Sequence, residues 1–211
     1  LSKPGPVILA AMLTLLLAAA LPGANPATRP SAPTAPKKLT LDPGKPLVHA
    51  PSGFEFPFNV GAFRRAVAYT FDDAGENLSV GYSDPSLKII LTVYVYLSNG
   101  LPLDVHFKQT KAEVTQVNRT AKLAEDGSIT IQHGKRGYEG LRARYQLRGM
   151  LGGVEQDLVS EAYLFVSGRS FVKFRLTYPA ADAKAAATRV EFFLKTLAFP
   201  ELPATKPAPG R

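Results

Sequence analysis

The stretch Leu141-Arg142-Ala143-Arg144-Tyr145-Gln146-Leu147-Arg148, continued across Gly152-Gly153 by Val154 to Val166, decides the fold. Leu141, Ala143, Tyr145 and Leu147 alternate with Arg142, Arg144, Gln146 and Arg148, the period of a strand with one apolar face. A tight turn at Gly152-Gly153 sets Leu147 opposite Leu158, Ala143 opposite Ala162 and Leu141 opposite Leu164. The same register brings Arg148 to Asp157, Arg144 to Glu161 and Arg142 to Tyr163, all favourable cross-strand pairs. A slip of one residue would turn the arginines toward the core, so side-chain chemistry fixes the pairing.

Working outward, a third strand, Phe171 to Tyr178, returns through Ser167-Gly168-Arg169. A three-residue loop with Gly in the left-handed position aligns Leu164 with Val172, Ala162 with Phe174 and Ser160 with Leu176. The expected product is a meander with one apolar face. Its other face carries Arg142, Arg144, Arg148, Lys173 and Arg175 among Tyr163, Phe165, Phe171, Asp157 and Glu161. Guanidinium forks beside aromatic rings suit an anionic group or a protein partner, although cross-strand ion pairs also decorate ordinary solvated sheet faces. The candidate binding residues are Arg142, Arg144, Glu161, Tyr163, Lys173 and Arg175. Arg144 and Arg175 are expected to flank Glu161, and Arg142 and Lys173 to flank Tyr163.

Upstream, Phe63 to Phe71 alternates as a strand, Asp72-Asp73-Ala74-Gly75 turns the chain, and Leu78 to Tyr82 makes a second strand. Lys88 to Leu97 is β-branched and aromatic on both faces, which suits a central strand covered on two sides. Phe107, Thr110, Val114, Val117, Ala121 and Ala124 then recur at helical steps. They predict a helix from Asp104 to Lys122 with Asp104 as N-cap and a turn at Gly127. After Pro179, Ala183, Ala186, Ala187, Val190, Phe193, Leu194 and Leu197 form the stripe of a closing helix. The reading is one α+β domain: a largely antiparallel sheet with packed helices, in the order β-β-β-α-β-β-β-α, over residues 53–199.

The N-terminus gives an address. Lys3 precedes an apolar run from Val7 to Leu21, and small residues follow, with cleavage positions after Ala20, Ala24 or Ala27. That is the layout of a secretory signal over residues 1–27, and the run is short for a permanent membrane span. Residues 28–52 are rich in Pro, Ala, Thr and Lys and read as an extended tether; residues 200–211 read as a flexible tail. The expected location is periplasmic or secreted, with an N-terminal membrane anchor as the alternative.

The 211 residues include no cysteine, which excludes disulfides, thiolate metal sites and a thiol nucleophile. The net charge of +8 draws the chain toward anions, including a membrane surface; nucleic acid fits the charge but not the compartment. None of the three histidines, His49, His106 and His133, has a second ligand at metal spacing. No glycine-rich phosphate loop is present, and Gly81-Tyr82-Ser83-Asp84-Pro85 lacks the second glycine of a nucleophile elbow. No cofactor, metal or catalytic residue is assigned, and oligomeric state is not legible. The principal reading is a non-enzymatic accessory or binding protein. The alternative, an envelope hydrolase, needs Asp72, Asp73 or Glu139 brought near His133.

The element order, the Lys88 to Leu97 strand and the closing stretch Arg189-Val190-Glu191-Phe192-Phe193-Leu194-Lys195-Thr196-Leu197-Ala198-Phe199-Pro200 together resemble the Mog1/PsbP-like fold, a group with photosystem-associated and periplasmic DcrB-like members. The resemblance covers about residues 53 to 199. It implies an accessory or binding module serving a membrane process and carries no catalytic residues with it; fold alone does not fix function.

Overall fold

A computed structural model describes residues 35–200. The expected signal over 1–27, the start of the tether and the tail beyond Pro200 lie outside the described residues. The strands are β1 (Lys37–Lys38), β2 (Leu47–His49), β3 (Phe54–Phe56), β4 (Asn59–Val60), β5 (Phe63–Thr70), β6 (Leu78–Asp84), β7 (Ile89–Leu97), β8 (Lys122–His133), β9 (Arg136–Leu151), β10 (Val154–Ser167) and β11 (Ser170–Pro179). Helix α1 (Leu103–Val117) follows β7, and α2 (Ala183–Thr196) follows β11 after one 3-10 turn. A nine-stranded antiparallel sheet runs β1-β5-β6-β7-β11-β10-β9-β8, with β4 paired to β5; β2 and β3 form a separate hairpin.

The sheet is α+β as expected, with an apolar layer on each face. Under α2 lie Val80, Tyr82, Leu91, Val93, Val172 and Phe174, met by Phe193 of the helix, all essentially inaccessible to solvent. The Phe193 ring sits edge-on to Phe63 at 4.9 Å and to Tyr82 at 5.0 Å. Under α1 lie Tyr94, Tyr96, Tyr145, Leu164 and Phe171, met by Phe107 and Val114 of the helix. Strand β7 therefore has both faces covered, as its two apolar faces require.

Three local expectations are corrected. The helix ends at Val117, five residues early, because the Asn118 side chain accepts from the Thr120 backbone N–H at 3.0 Å and bends the chain away. Asp104 lies in the first turn and is not the N-cap; Pro102 holds that position. Gly127 makes no turn but pairs with Arg142 within β8, a strand exposed along nearly its whole length and so without apolar periodicity.

The segment whose composition reads as tether takes part in the folded body from Lys37 onward. Lys37 and Lys38 pair with Thr70 and Tyr69, and Leu39, Leu41 and Leu47 pack on the core. Arg65, 3% exposed, holds this segment. Its Nη1 donates to Phe56 O at 2.6 Å, and its Nη2 to Asp42 O at 2.8 Å and Lys45 O at 2.9 Å. Three backbone carbonyls, two of them in the irregular stretch between β1 and β2, are thus satisfied by one guanidinium. Arg65→Met should cost about 3 kcal/mol in urea unfolding, since buried acceptors lose a charged donor. It should also raise hydrogen exchange selectively across residues 37–56; uniform exchange over the whole domain would contradict this role.

Candidate functional site

The meander register is observed for one hairpin and shifted for the other. Between β9 and β10, Leu147 faces Leu158, Ala143 faces Ala162 and Leu141 faces Leu164, while Arg148, Arg144 and Arg142 face Asp157, Glu161 and Tyr163. Gly152 and Gly153 both take positive φ there, as a two-residue turn of this kind requires. Between β10 and β11, however, Ser167 pairs with Ser170, so the loop has two residues, with Gly168 at φ +62° in its first position. Leu164 then opposes Lys173 and Ala162 opposes Arg175. The one-residue difference sends Lys173 and Arg175 to the opposite side of the sheet from Arg142, Arg144, Glu161 and Tyr163. The six residues do not share a face.

On the α2 side, Glu161 organises its surroundings. It is 6% exposed and accepts from Tyr178 Oη at 2.7 Å and from Tyr163 Oη. Arg144 Nε stands 3.1 Å from Glu161 Oε1, and Arg144 Nη2 donates to Tyr178 Oη at 3.1 Å. A buried carboxylate with two phenols and a guanidinium is well provided with donors. Burial, then the Glu161 carboxylate, push both phenols well above their usual range, so both remain protonated donors. The Tyr178 hydrogen bond raises Arg144 further and keeps it a cation. Arg142 instead turns outward to pair with Glu125 on β8. Tyr178 could not be assigned to this cluster from the sequence, because the shifted register alone brings its hydroxyl to Glu161.

Beside this cluster an open groove of about 770 Å³ runs between β8, β9 and the start of α2. Its polar walls include Lys122, Glu125, Arg144, Gln146, Arg148 and Asp157. Arg148 makes only exposed pairs, with Asp157 at 3.3 Å and Glu155 at 3.6 Å. Such pairs contribute little and exchange readily for another anion. Lys122 has no ion pair among the described residues.

On the α1 side, Lys173 is 4% exposed, 2.9 Å from Glu113 Oε2, and 5.0 Å from the Tyr94 ring centroid. Burial lowers its pKa, and Glu113 opposes that shift. Reversing charge at Lys173 would place two carboxylates together in the core, so such a variant cannot probe a surface. Nearby, buried His106 bonds Tyr96 Oη through Nε2 at 2.5 Å and Gln109 Oε1 through Nδ1 at 3.0 Å. The amide oxygen can only accept, which assigns the proton to Nδ1 and makes Tyr96 the donor to Nε2.

The residues of the hydrolase alternative are not brought together. Asp72 and Asp73 occupy the β5–β6 turn, whereas His133 closes β8, at least five strand spacings away, roughly 24 Å. Glu139 pairs with Thr130, three positions from the His133–Arg136 pair and so on the opposite face of the ribbon. His133 instead packs its ring on Tyr138 and Phe199. Among the described residues no group of three His, Asp or Glu side chains is placed to hold a metal ion.

No protein-family model matches the chain, and no curated protein matches it significantly. Among solved structures it is similar to the Pseudomonas aeruginosa protein PA94, of unknown function, with a TM-score of 0.43 and 14% identity over 81% of this chain and 100% of that one. It is also similar to the cyanobacterial PsbP (CyanoP) of Synechocystis sp. PCC 6803, with a TM-score of 0.40 and 13% identity over 68% and 83% of the two chains. Both likenesses lie at low sequence identity.

Two outcomes follow from these contacts. Glu161→Ala strips Arg144, Tyr163 and Tyr178 of their shared acceptor and should cost about 3 kcal/mol in urea unfolding, as loss of one partner of a buried pair does; a cost under about 1 kcal/mol would show the cluster to be solvated. The second concerns pH. Burial lowers the pKa of His106, and likewise of His49 and His133, below the unfolded value near 6.5. The unfolded chain therefore takes up protons first, and stability falls as pH drops below about 6.5, levelling off below the folded pKa values. His106→Gln should reduce that slope in pH-dependent denaturant titrations.

Proposed function

We propose that this protein is a non-enzymatic, exported accessory protein that binds an acidic partner in the groove beside Arg144. The observation that carries the reading is the groove's construction. Arg144 is held from behind by Glu161 and Tyr178, so its placement is fixed before any partner arrives. Lys122 and Arg148 stand on the same wall with loose or no ion pairing. The prepositioned guanidinium of Arg144 loses little side-chain entropy on meeting a carboxylate or phosphate, and the Lys122 and Arg148 charges beside it add attraction. Arg142 and Tyr163 support the groove's edge through Glu125 and Glu161. Export is supported by the signal-like residues 1–27.

Poly-L-glutamate is a suitable probe. The full chain should bind it in a salt-sensitive manner. The double variant Lys122→Ala, Arg148→Ala should weaken binding about tenfold or more, through loss of two charge-assisted contacts, with unchanged thermal stability. Equal affinity for variant and wild type would remove the groove from the interaction.

A further inference from the structure

The α1 face of the sheet carries a cation that its surroundings do not answer. Lys173 has Glu113 and the Tyr94 ring. Two positions along β11, Arg175 faces the same side and has no such partner. Its Nε is shut off from solvent and donates to nothing, and no hydrogen bond or ion pair of the described residues reaches its guanidinium. Glu113 acts on it only at longer range, its Oε2 being engaged by Lys173. On the inner side of α1, Thr110 is 0% exposed and its Oγ1 also lacks a partner.

Within its own cross-strand row the neighbours of Arg175 are short. Across the sheet it lies between Ala162 of β10 and Thr92 of β7, with Ala143 beyond the one and Gly81 beyond the other. The next row offers the Thr177 and Ser160 hydroxyls, and Tyr94 and Tyr145 stand alongside. No bulky apolar side chain fills that row. An arginine brings five N–H donors, no acceptor, and a charge it cannot shed. Holding its buried Nε idle is costly, and an apolar residue of similar length would serve packing better. Residues 1–34 contain no Asp or Glu, so that stretch has no acidic side chain to offer it.

We propose that Arg175, with the Thr92 and Thr177 hydroxyls beside it, receives an oxoanion, a carboxylate or phosphate group, on the α1 face of the sheet. The fork of the guanidinium matches either group through two parallel hydrogen bonds. This site lies on the opposite face from the Arg144 groove and does not depend on it.

The test is thermal unfolding of the full chain at constant ionic strength in chloride, acetate or inorganic phosphate, comparing wild type with Arg175→Met. Wild type should melt higher in phosphate, acetate or both, by roughly 5–10 °C at a hundredfold excess over Kd. Phosphate alone acting would identify a phosphate site; acetate acting would identify a carboxylate site. Arg175→Met should lose the shift yet melt at or above wild type in chloride. The groove variant Lys122→Ala, Arg148→Ala should keep it. Absence of any shift in wild type, a shift retained by Arg175→Met, or an Arg175→Met protein that melts well below wild type in chloride would each overturn the proposal.

Discussion

The ladder between β7 and β11 is the constraint on which the rest of the molecule depends. Strands β5 to β7 and β8 to β11 are each series of antiparallel sequence neighbours, and the β7–β11 pairing is what fuses them. It joins residues roughly eighty positions apart, so loop closure must be offset by what the ladder buries. On one side it sets Leu91, Val93 and Val95 against Leu176, Phe174 and Val172, all inaccessible to solvent. Because β8 must then sit at the far edge, the chain leaving β7 has to cross β11, β10 and β9. Helix α1 is that crossing, and its path carries Glu113 over Lys173.

Charge in this protein is arranged by depth. Glu161 lies below the α2-side surface and fixes three neighbours, while Glu155 and Asp157 at the surface pair loosely with Arg148. The buried carboxylate confers geometry and the exposed ones confer exchangeability. The two properties meet in Arg144, which has one edge in the core and the other in the groove. Lys173 and Arg175 show the same contrast inverted: neighbouring cations on one strand, one fully answered and one not.

Most of the fold was legible because β9 alternates and its cross-strand partners on β10 are chemically matched, while β7 is apolar on both faces. Val154 to Ser167 and Arg136 to Leu151 pair as side-chain chemistry dictates, and the β-branched run of β7 marks the centre of the sheet. What could not be read has identifiable causes. Strand β8 lies at an edge and buries Ile131 but almost nothing else, so burial left no periodic trace in its sequence. The N-terminal segment is held by backbone carbonyls meeting Arg65, and carbonyls have no residue identity. The candidate site was half legible: Arg142, Arg144, Glu161 and Tyr163 share a face as expected. Lys173 and Arg175 were misplaced because Ser167-Gly168-Arg169-Ser170 accommodates a two- or a three-residue loop, and that single choice inverts a whole strand.

An open sheet has two borders, and here they are guarded by different means. At one border β1 is two residues long and both are lysines, which gives an incoming strand little to template upon and a charge to avoid. At the other, β8 offers twelve residues, a length that would ordinarily invite edge-to-edge association. That border is interrupted by the bulge between Leu123 and Glu125 and by Gly127, and it carries Lys122, Glu125 and Asp126 along its course. A protein without disulfides relies on noncovalent pairing alone, so resistance to edge-to-edge pairing at this border falls to these few polar positions. Replacing them with β-branched apolar residues would leave the fold intact and convert its margin into a seed for fibrous assembly.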